Sequence, residues 1–366
     1  MNFFMPTKVI TSIGCIKENA AVFKKFGKKA MLVTGKQSAK KNGSQEDVIA
    51  ALNAVDMPYV IYDQVMCNPT VACVYEGARF ARENKVDLII SIGGGSPMDA
   101  GKAIALLAVQ DIKEEQIFSG EYGDEALPMI HIPTTAGTGS EVTPYAILTN
   151  DRAKTKTSIA APILFPKVAL CDPTYMQDLN QTTTINTAID ALSHAIEGMF
   201  SIKATPATNA LAAESIKEIV SCYESLKEGK LSLEERGILL QASTLAGMVI
   251  AHTGTTAVHS MGYSLTYFKD VDHGRANGLL LPYFFKVMEK ADGEKVKTIL
   301  GHMGLSTVEA FESWMDGLLG EKEVLTLEEI EKFATIASGA KNIKNCKVIL
   351  KREDLVEVYK SAFLKK

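Results

Sequence analysis

The chain has 366 residues, roughly two domains at about 150 residues each, with 46% hydrophobic and 22% charged residues. That composition excludes a disordered chain. The 39 basic against 43 acidic residues leave a net charge of −4, without the basic surplus of a nucleic-acid-binding protein. No apolar run approaches the about 18 residues of a membrane helix, and residues 1–10 lack a signal-peptide core. Six scattered cysteines without a C-x-x-C pair form no disulfide framework, so a cytoplasmic protein with reduced thiols is expected.

In chain order, Ala30–Thr34 reads as a strand, 45–55 as a helix, 59–65 as a strand and 70–84 as a helix. A buried strand follows at 86–92, a helix at 97–108, and strands at 129–132 and 168–170. Strand–helix alternation of this kind predicts a parallel sheet covered on both faces. Beyond Asp172-Pro173 the texture becomes helical, with periodic stretches at 209–226, 236–251, 279–290, 308–319, 327–339 and 352–363. The fold class expected is α/β plus all-α. A Rossmann-like parallel-sheet domain spans 1–175, and an all-helical metal-binding and substrate domain spans 176–366.

The segment from Ser91 to Asp99 (SIGGGSPMD) reads as strand end, glycine turn and helix start. Ser96 suits the N-cap, Pro97 the first helical position and Asp99 a capping-box acid. Gly93, Gly94 and Gly95 let backbone approach a ligand closely, and free N–H groups at the helix start favour an anion. Alone, the segment reads equally well as a tight βα turn that binds nothing. A second loop, Ile132 to Glu141 (IPTTAGTGSE), also follows a strand. Two such loops at strand C-terminal ends favour a dinucleotide cofactor. After Thr34 the chain runs Gly35-Lys36-Gln37-Ser38-Ala39-Lys40-Lys41, with no acid before Glu46. A 2′-hydroxyl is usually held by an acid there, so its absence beside lysines points to NADP(H) over NAD(H).

In the helical half, Asp190 and His194 are four residues apart and share a helix face. His259 and His273 lie further on. One carboxylate with three imidazoles suits Fe²⁺, Zn²⁺ or another first-row metal, and an open position would make it a Lewis acid. His252, His131 and His302 read as packed or structural.

The motifs GGGSPMDAGK (93–102), PTTAGTGSEVTPYAILT (133–149), DALSHAIEG (190–198) and VHSMGYSLT…DHG (258–274) resemble the iron-containing alcohol dehydrogenase family over essentially the whole chain. The TGKxSxKKNGS pattern at 34–44 is closest to NADP-dependent short-chain alcohol or 1,3-propanediol dehydrogenases. The resemblance implies the two-domain plan shared with dehydroquinate synthase, a metal held by Asp190, His194, His259 and His273, and a homodimer. It implies cofactor contacts from Gly93, Gly94, Gly95, Ser96 and Asp99, from Thr134, Thr135 and Thr138, and from Asn68 and Lys156, beside Gly35, Lys36 and Ser38. Many members place a second histidine four residues after the position of His259, where this chain has Tyr263. Tyr263 could relay a proton in its place, or simply pack.

The expected function is metal-dependent, NADP(H)-linked interconversion of short-chain primary alcohols or diols and aldehydes. His259, His273 and Tyr263 would lie at the reacting centre, with the nicotinamide in a cleft between the domains. The alternatives are a 4-hydroxybutyrate-like hydroxy-acid dehydrogenase, with Arg275 pairing the substrate carboxylate, a dehydroquinate-synthase-like lyase, and an inactive binding protein that keeps the fold. The lyase would need clustered cations, and only Lys269 and Arg275 stand near the proposed ligands in sequence.

Overall fold

A computed structural model describes residues 3–364. The chain divides into two compact units, one of residues 4–179 and one from Asn180 onward that also takes in Phe3. The first unit runs β1 (Lys8–Thr11), α1 (Cys15–Glu18), β2 (Ala30–Thr34), α2 (Ser38–Lys41), α3 (Ser44–Ala54), β3 (Tyr59–Tyr62), α4 (Val71–Glu83), β4 (Leu88–Gly93), α5 (Gly95–Val109) and β5 (Met129–Pro133). A hairpin of β6 (Tyr145–Asn150) and β7 (Thr155–Ala160) precedes β8 (Val168–Cys171).

Six strands form one sheet in the order β1-β8-β5-β4-β2-β3, and every pairing is parallel. Parallel strands carry apolar residues on both faces. Here β2 (AMLVT) and β4 (LIISIG) are buried along their whole length, between one apolar cluster holding Met31, Val33 and Ile89 and another holding Leu32, Leu88 and Ile90. The chain leaves β2 for β3 on one side and crosses back to β4 on the other. The reversal therefore falls between the C-terminal ends of β2 and β4, where such sheets bind ligands. The strand expected from residue 86 begins at Leu88. Lys85 takes a left-handed φ of 52°, and Asp87 instead accepts the Lys28 and Lys29 N–H groups at 2.7 and 2.8 Å.

The second unit is helical throughout its regular structure: α6 (Gln181–Met199), α7 (Pro206–Ser221), α8 (Tyr223–Glu228), α9 (Leu233–Thr253), α10 (Ala257–Lys269), α11 (His273–His302), α12 (Val308–Leu319), α13 (Leu327–Ser338) and α14 (Arg352–Phe363). The single helix expected over 209–226 breaks at Cys222, whose ψ of 4° ends α7. Its core is aromatic in part, with Phe200 packed edge-on against Phe284 and Phe285. His252 behaves as a packed residue, stacked on Phe3 at 4.2 Å with Nδ1 2.7 Å from the Met248 carbonyl. His131 is buried in β5. Among the described residues no single helix is long and apolar enough to cross a membrane.

Candidate active site

Most of the candidate cofactor residues follow the C-terminal ends of β2, β4 and β5, while Asn68 comes after β3 and Lys156 lies on β7. Gly93 has a φ of 147°, and a Cβ there would lie 2.7 Å from Pro97 Cγ. A Cβ on Gly94 would stand 3.0 Å from Thr135 Oγ1, and one on Gly95 2.7 Å from Thr138 Cγ2. The two turns therefore touch through glycines that no other residue could replace without displacing a threonine. Thr134 N–H donates to the Gly93 carbonyl at 2.9 Å, locking the second turn to the first.

The helix start differs from its expected position. Gly94 is the N-cap and α5 begins at Gly95, so Ser96 and Pro97 lie inside the first turn and Asp99 forms no capping box. The glycine turn itself becomes helical, and no side chain caps it, which leaves the first backbone N–H groups to an outside acceptor. Ser96 Oγ accepts the N–H of Asn68, whose φ of 57° turns the chain beside it. Asp99 faces inward and accepts from Ser140 Oγ at 2.6 Å and from the Ile147 N–H at 3.1 Å. Fully buried Lys102 donates to Ser140 Oγ at 2.7 Å and the Tyr145 carbonyl at 2.8 Å, with Asp99 at 3.8 Å. Burial pushes its amine down to about 8, against the pull of Asp99 and Glu141. Asp99 thus ties α5 to the Ser140 hydroxyl after the second turn and to the backbone of β6. Lys156, on β7, contributes charge that Asp99 senses.

After β2, Gly35 is half-buried, and Lys36 and Ser38 are exposed. An acid from another part of the chain meets this segment: Asp63, just past β3, is bound by Lys40 at 2.7 Å. That ion pair holds the Asp63 carboxyl below its ordinary range.

In the helical unit, α6 carries Asp190, His194 and Glu197, α10 carries His259, and α11 begins at His273. Asp272 caps α11 by accepting the Gly274 and Arg275 N–H groups, which fixes where His273 stands. Gly274 permits the approach, since a Cβ there would lie 1.8 Å from the Asn186 carbonyl oxygen on α6. One ligand atom each from Asp190, His259 and His273 converge, all within 4.8 Å of one another. Asp190 Oδ1 is 3.6 Å from His259 Nε2 and 3.7 Å from His273 Nε2. His194 stands at the rim of this group, its Nε2 3.9 Å from the same oxygen and its ring stacked on His259 at 4.6 Å. Tyr263 lies face to face with His273, centroids 5.5 Å apart, and edge-on to His259.

Sequence reasoning missed Glu197, although residues 190, 194 and 197 share a helix face by spacing alone. Its Oε2 pairs with His259 Nδ1. Its Oε1 accepts the Thr256 and Val258 N–H groups, both at 2.9 Å, and the Thr256 hydroxyl at 2.7 Å. A carboxylate behind a ligating histidine fixes which ring nitrogen is bare. Burial disfavours charge on Asp190, but His194, His273 and His259 outweigh it and hold the carboxyl far below its usual range. Glu197 is also held low against burial, by His259 and Thr256. Burial opposes charge on His259, yet Glu197 and Asp190 push it up to about 9. Two buried carboxylates need positive charge close by. One carboxylate oxygen and imidazole nitrogens presented to a common point fit a divalent first-row cation.

Two family profiles match this chain: "Iron-containing alcohol dehydrogenase" over residues 6–173 and "Fe-containing alcohol dehydrogenase family, C-terminal" over 184–363. The chain is a member of the iron-containing alcohol dehydrogenase family. It is similar to 1,3-propanediol dehydrogenase of Citrobacter freundii, at 34% identity over 85% of this chain and 81% of that protein. It is also similar to NAD-dependent methanol dehydrogenase of Bacillus methanolicus, at 30% identity over 99% and 93%. A crystal structure of an iron-containing alcohol dehydrogenase from Thermotoga maritima superposes with a TM-score of 0.92 at 39% identity, covering 99% of each chain. As a family member, this protein is an NAD(P)-dependent alcohol dehydrogenase. Membership sets aside the lyase alternative. The family implies iron and a nicotinamide cofactor.

Arg275 does not reach toward that cluster as a free cation. Its guanidinium donates to Glu323 Oε1 at 2.7 Å, to the Leu319 carbonyl at 2.6 Å and to the Glu321 carbonyl. Lys269 is paired with Glu329 at 2.9 Å.

Proposed function

We propose that the protein interconverts short-chain primary alcohols or diols and aldehydes with NADP(H), using a divalent metal held by Asp190, His259 and His273 with His194 beside them. The convergence of three ligand atoms within 4.8 Å of one another carries this reading. When bound, the metal would supply a Lewis acid for the substrate oxygen and the cofactor would supply or accept the hydride.

The chain's own groups have separable tasks. Asp190 brings negative charge to the metal point, and Glu197 holds the His259 ring with Nδ1 tied and Nε2 turned inward. Tyr263 backs the His273 ring face to face, which supports an orienting role in place of a histidine proton relay. The N–H groups that open α5 and the hydroxyls of Thr134, Thr135 and Thr138 suit a pyrophosphate. Gly35 leaves room after β2, and exposed Lys36 and Ser38 are donors for a 2′-phosphate. Asp63, the acid that could compete for a 2′-hydroxyl, is already engaged by Lys40.

The hydroxy-acid alternative would need Arg275 for the substrate carboxylate. The three-point binding of that guanidinium by Glu323 and two backbone carbonyls favours a neutral substrate instead. The deciding experiment is an anaerobic panel of C2–C6 alcohols, diols, aldehydes and hydroxy acids, with Fe²⁺ or Zn²⁺ and each nicotinamide cofactor, read at 340 nm. Preference for NADP(H) with primary alcohols or aldehydes is expected. Turnover only with hydroxy acids, or equal use of both cofactors, would refute the corresponding half.

A further inference from the structure

The turn after β2 is flanked by the chain leaving β3. The Val65 N–H donates to the Thr34 carbonyl at 3.3 Å, and a Cβ on Gly35 would stand 3.4 Å from the Val65 carbonyl oxygen. The segment that runs along Thr34 and Gly35 carries Asp63 two residues before that contact. Lys40, on α2, crosses to it, and its Nζ donates to Asp63 Oδ2 at 2.7 Å. Gln64 Nε2 donates to Asp63 Oδ1 at 2.6 Å, so both carboxylate oxygens are engaged. Of the lysines at 36, 40 and 41, Lys40 is the one in an ion pair among the described residues. Both partners stay in contact with water, with side-chain exposures of 47% and 29%. An ion pair this exposed contributes little to the fold and reopens readily. A phosphate monoester carries more negative charge than a carboxylate and competes well for an ammonium.

We propose that the Lys40–Asp63 pair sets the cofactor choice: the Lys40 ammonium answers the 2′-phosphate of NADP(H), and its hold on Asp63 withholds from NAD(H) a carboxylate for the 2′-hydroxyl. The inference rests on the NADP(H) reading above. An acid at this corner of such a sheet is the usual acceptor for a 2′-hydroxyl, and a free one repels a 2′-phosphate. Gly35 keeps an acid out of the turn itself, and Lys40 neutralises the one that the neighbouring segment brings back.

The test measures binding of NADPH and NADH to the full chain by nicotinamide fluorescence, without turnover, in wild type, Lys40→Met and Lys40→Met/Asp63→Asn. Wild type should bind NADPH more tightly than NADH. If it binds both equally, or NADH better, the NADP(H) reading fails and this inference with it. Where wild type prefers NADPH, Lys40→Met should weaken NADPH about 10-fold or more, the scale of a lost charge-assisted hydrogen bond, and should tighten NADH severalfold. The double variant should lose the NADH gain and recover part of the NADPH loss, because the freed carboxylate is gone. An NADPH-to-NADH affinity ratio in Lys40→Met within about threefold of wild type would overturn the proposal while leaving the NADP(H) reading standing on Gly35, Lys36 and Ser38. Weaker NADPH with unchanged NADH, indifferent to Asp63→Asn, would make Lys40 a phosphate contact alone and overturn the role of the pair. A pair that only braces the fold would lower the melting temperature and weaken both cofactors alike, which also overturns it. Should Lys40→Met not fold, Lys40→Gln removes the charge while keeping a donor for Asp63 and should shift the ratio in the same direction; an unchanged ratio there would likewise refute the proposal.

Discussion

Replacing Glu197 with glutamine tests whether the metal site is tuned from behind. Oε1 of Glu197 already accepts the Thr256 N–H, the Thr256 hydroxyl and the Val258 N–H, all within 2.9 Å, at the start of α10. The single oxygen of glutamine must stay there. The opposite orientation would set an NH₂ group against three buried donors, at about 1–3 kcal/mol for each one left unsatisfied. The NH₂ therefore faces His259 Nδ1, which must then accept, and the ring proton moves to Nε2, the atom aimed at Asp190. A histidine protonated on its ligating nitrogen is a poor ligand. Loss of such a partner typically weakens metal binding by about 10- to 100-fold, which is about 1.4–2.8 kcal/mol at about 1.4 kcal/mol per decade. Because the contacts at α10 survive while the buried pairing with charged His259 is lost, the metal-free variant should melt below wild type but above Glu197→Ala. Chelator competition with Zn²⁺ or Co²⁺ gives the affinity, and circular dichroism of the stripped proteins gives the melting temperature. Metal affinity in Glu197→Gln within about threefold of wild type would refute the argument. Glu197→Ala loses the α10 contacts as well, and removing a carboxylate that answers several buried donors costs about 3–5 kcal/mol of folding stability.

Three other perturbations have definite outcomes. His273→Ala should reduce both metal content, by elemental analysis, and turnover to background, and chelator-treated wild type should regain turnover on adding Fe²⁺ or Zn²⁺; full activity in metal-free protein would sink the metal role. Gly35→Asp has room for its Cβ, 3.4 Å from the Val65 carbonyl, and should weaken NADPH far more than NADH in fluorescence titrations, whereas equal losses would refute the 2′-phosphate argument. Burial pushes the Glu218 carboxyl up to about 7 against the help of Gln241, so the folded state holds a proton that the unfolded chain sheds near 4.5. Stability is then undiminished below about pH 4.5 and falls as pH rises toward about 7. Glu218→Gln should melt like wild type at about pH 5 and above it at about pH 8; the same difference at both values would contradict this.

What could be read from the sequence was what repeats locally. The alternation of β-branched runs with helices foretold a parallel sheet, and β2 lies at the positions expected, because four of its five residues are apolar and all are buried. The glycine turns and the Asp190–His194 spacing were visible as local patterns too. The misses are long-range. The start of α5 moved to Gly95 because Gly94, pressed against Thr135, takes the cap that Ser96 seemed built for. Asp99 looked like a capping acid until Ser140 and Ile147, more than 40 positions later, claimed both its oxygens. Glu197 is tied to His259 across 62 positions, and Arg275 to Glu323 across 48. No window of sequence contains either pair.

The buried ammonium of Lys102 has a practical consequence. It lies out of water on α5, bound by Ser140 and the Tyr145 carbonyl. An amine-directed acylating reagent can therefore reach it only when the α/β unit opens. The rate at which Lys102 is tagged, followed by mass spectrometry, becomes a clock for that opening. Because the residue holds the loop after the second turn against α5, cofactor binding should slow the clock. The same lysine would report occupancy of the turns without any contact with the ligand.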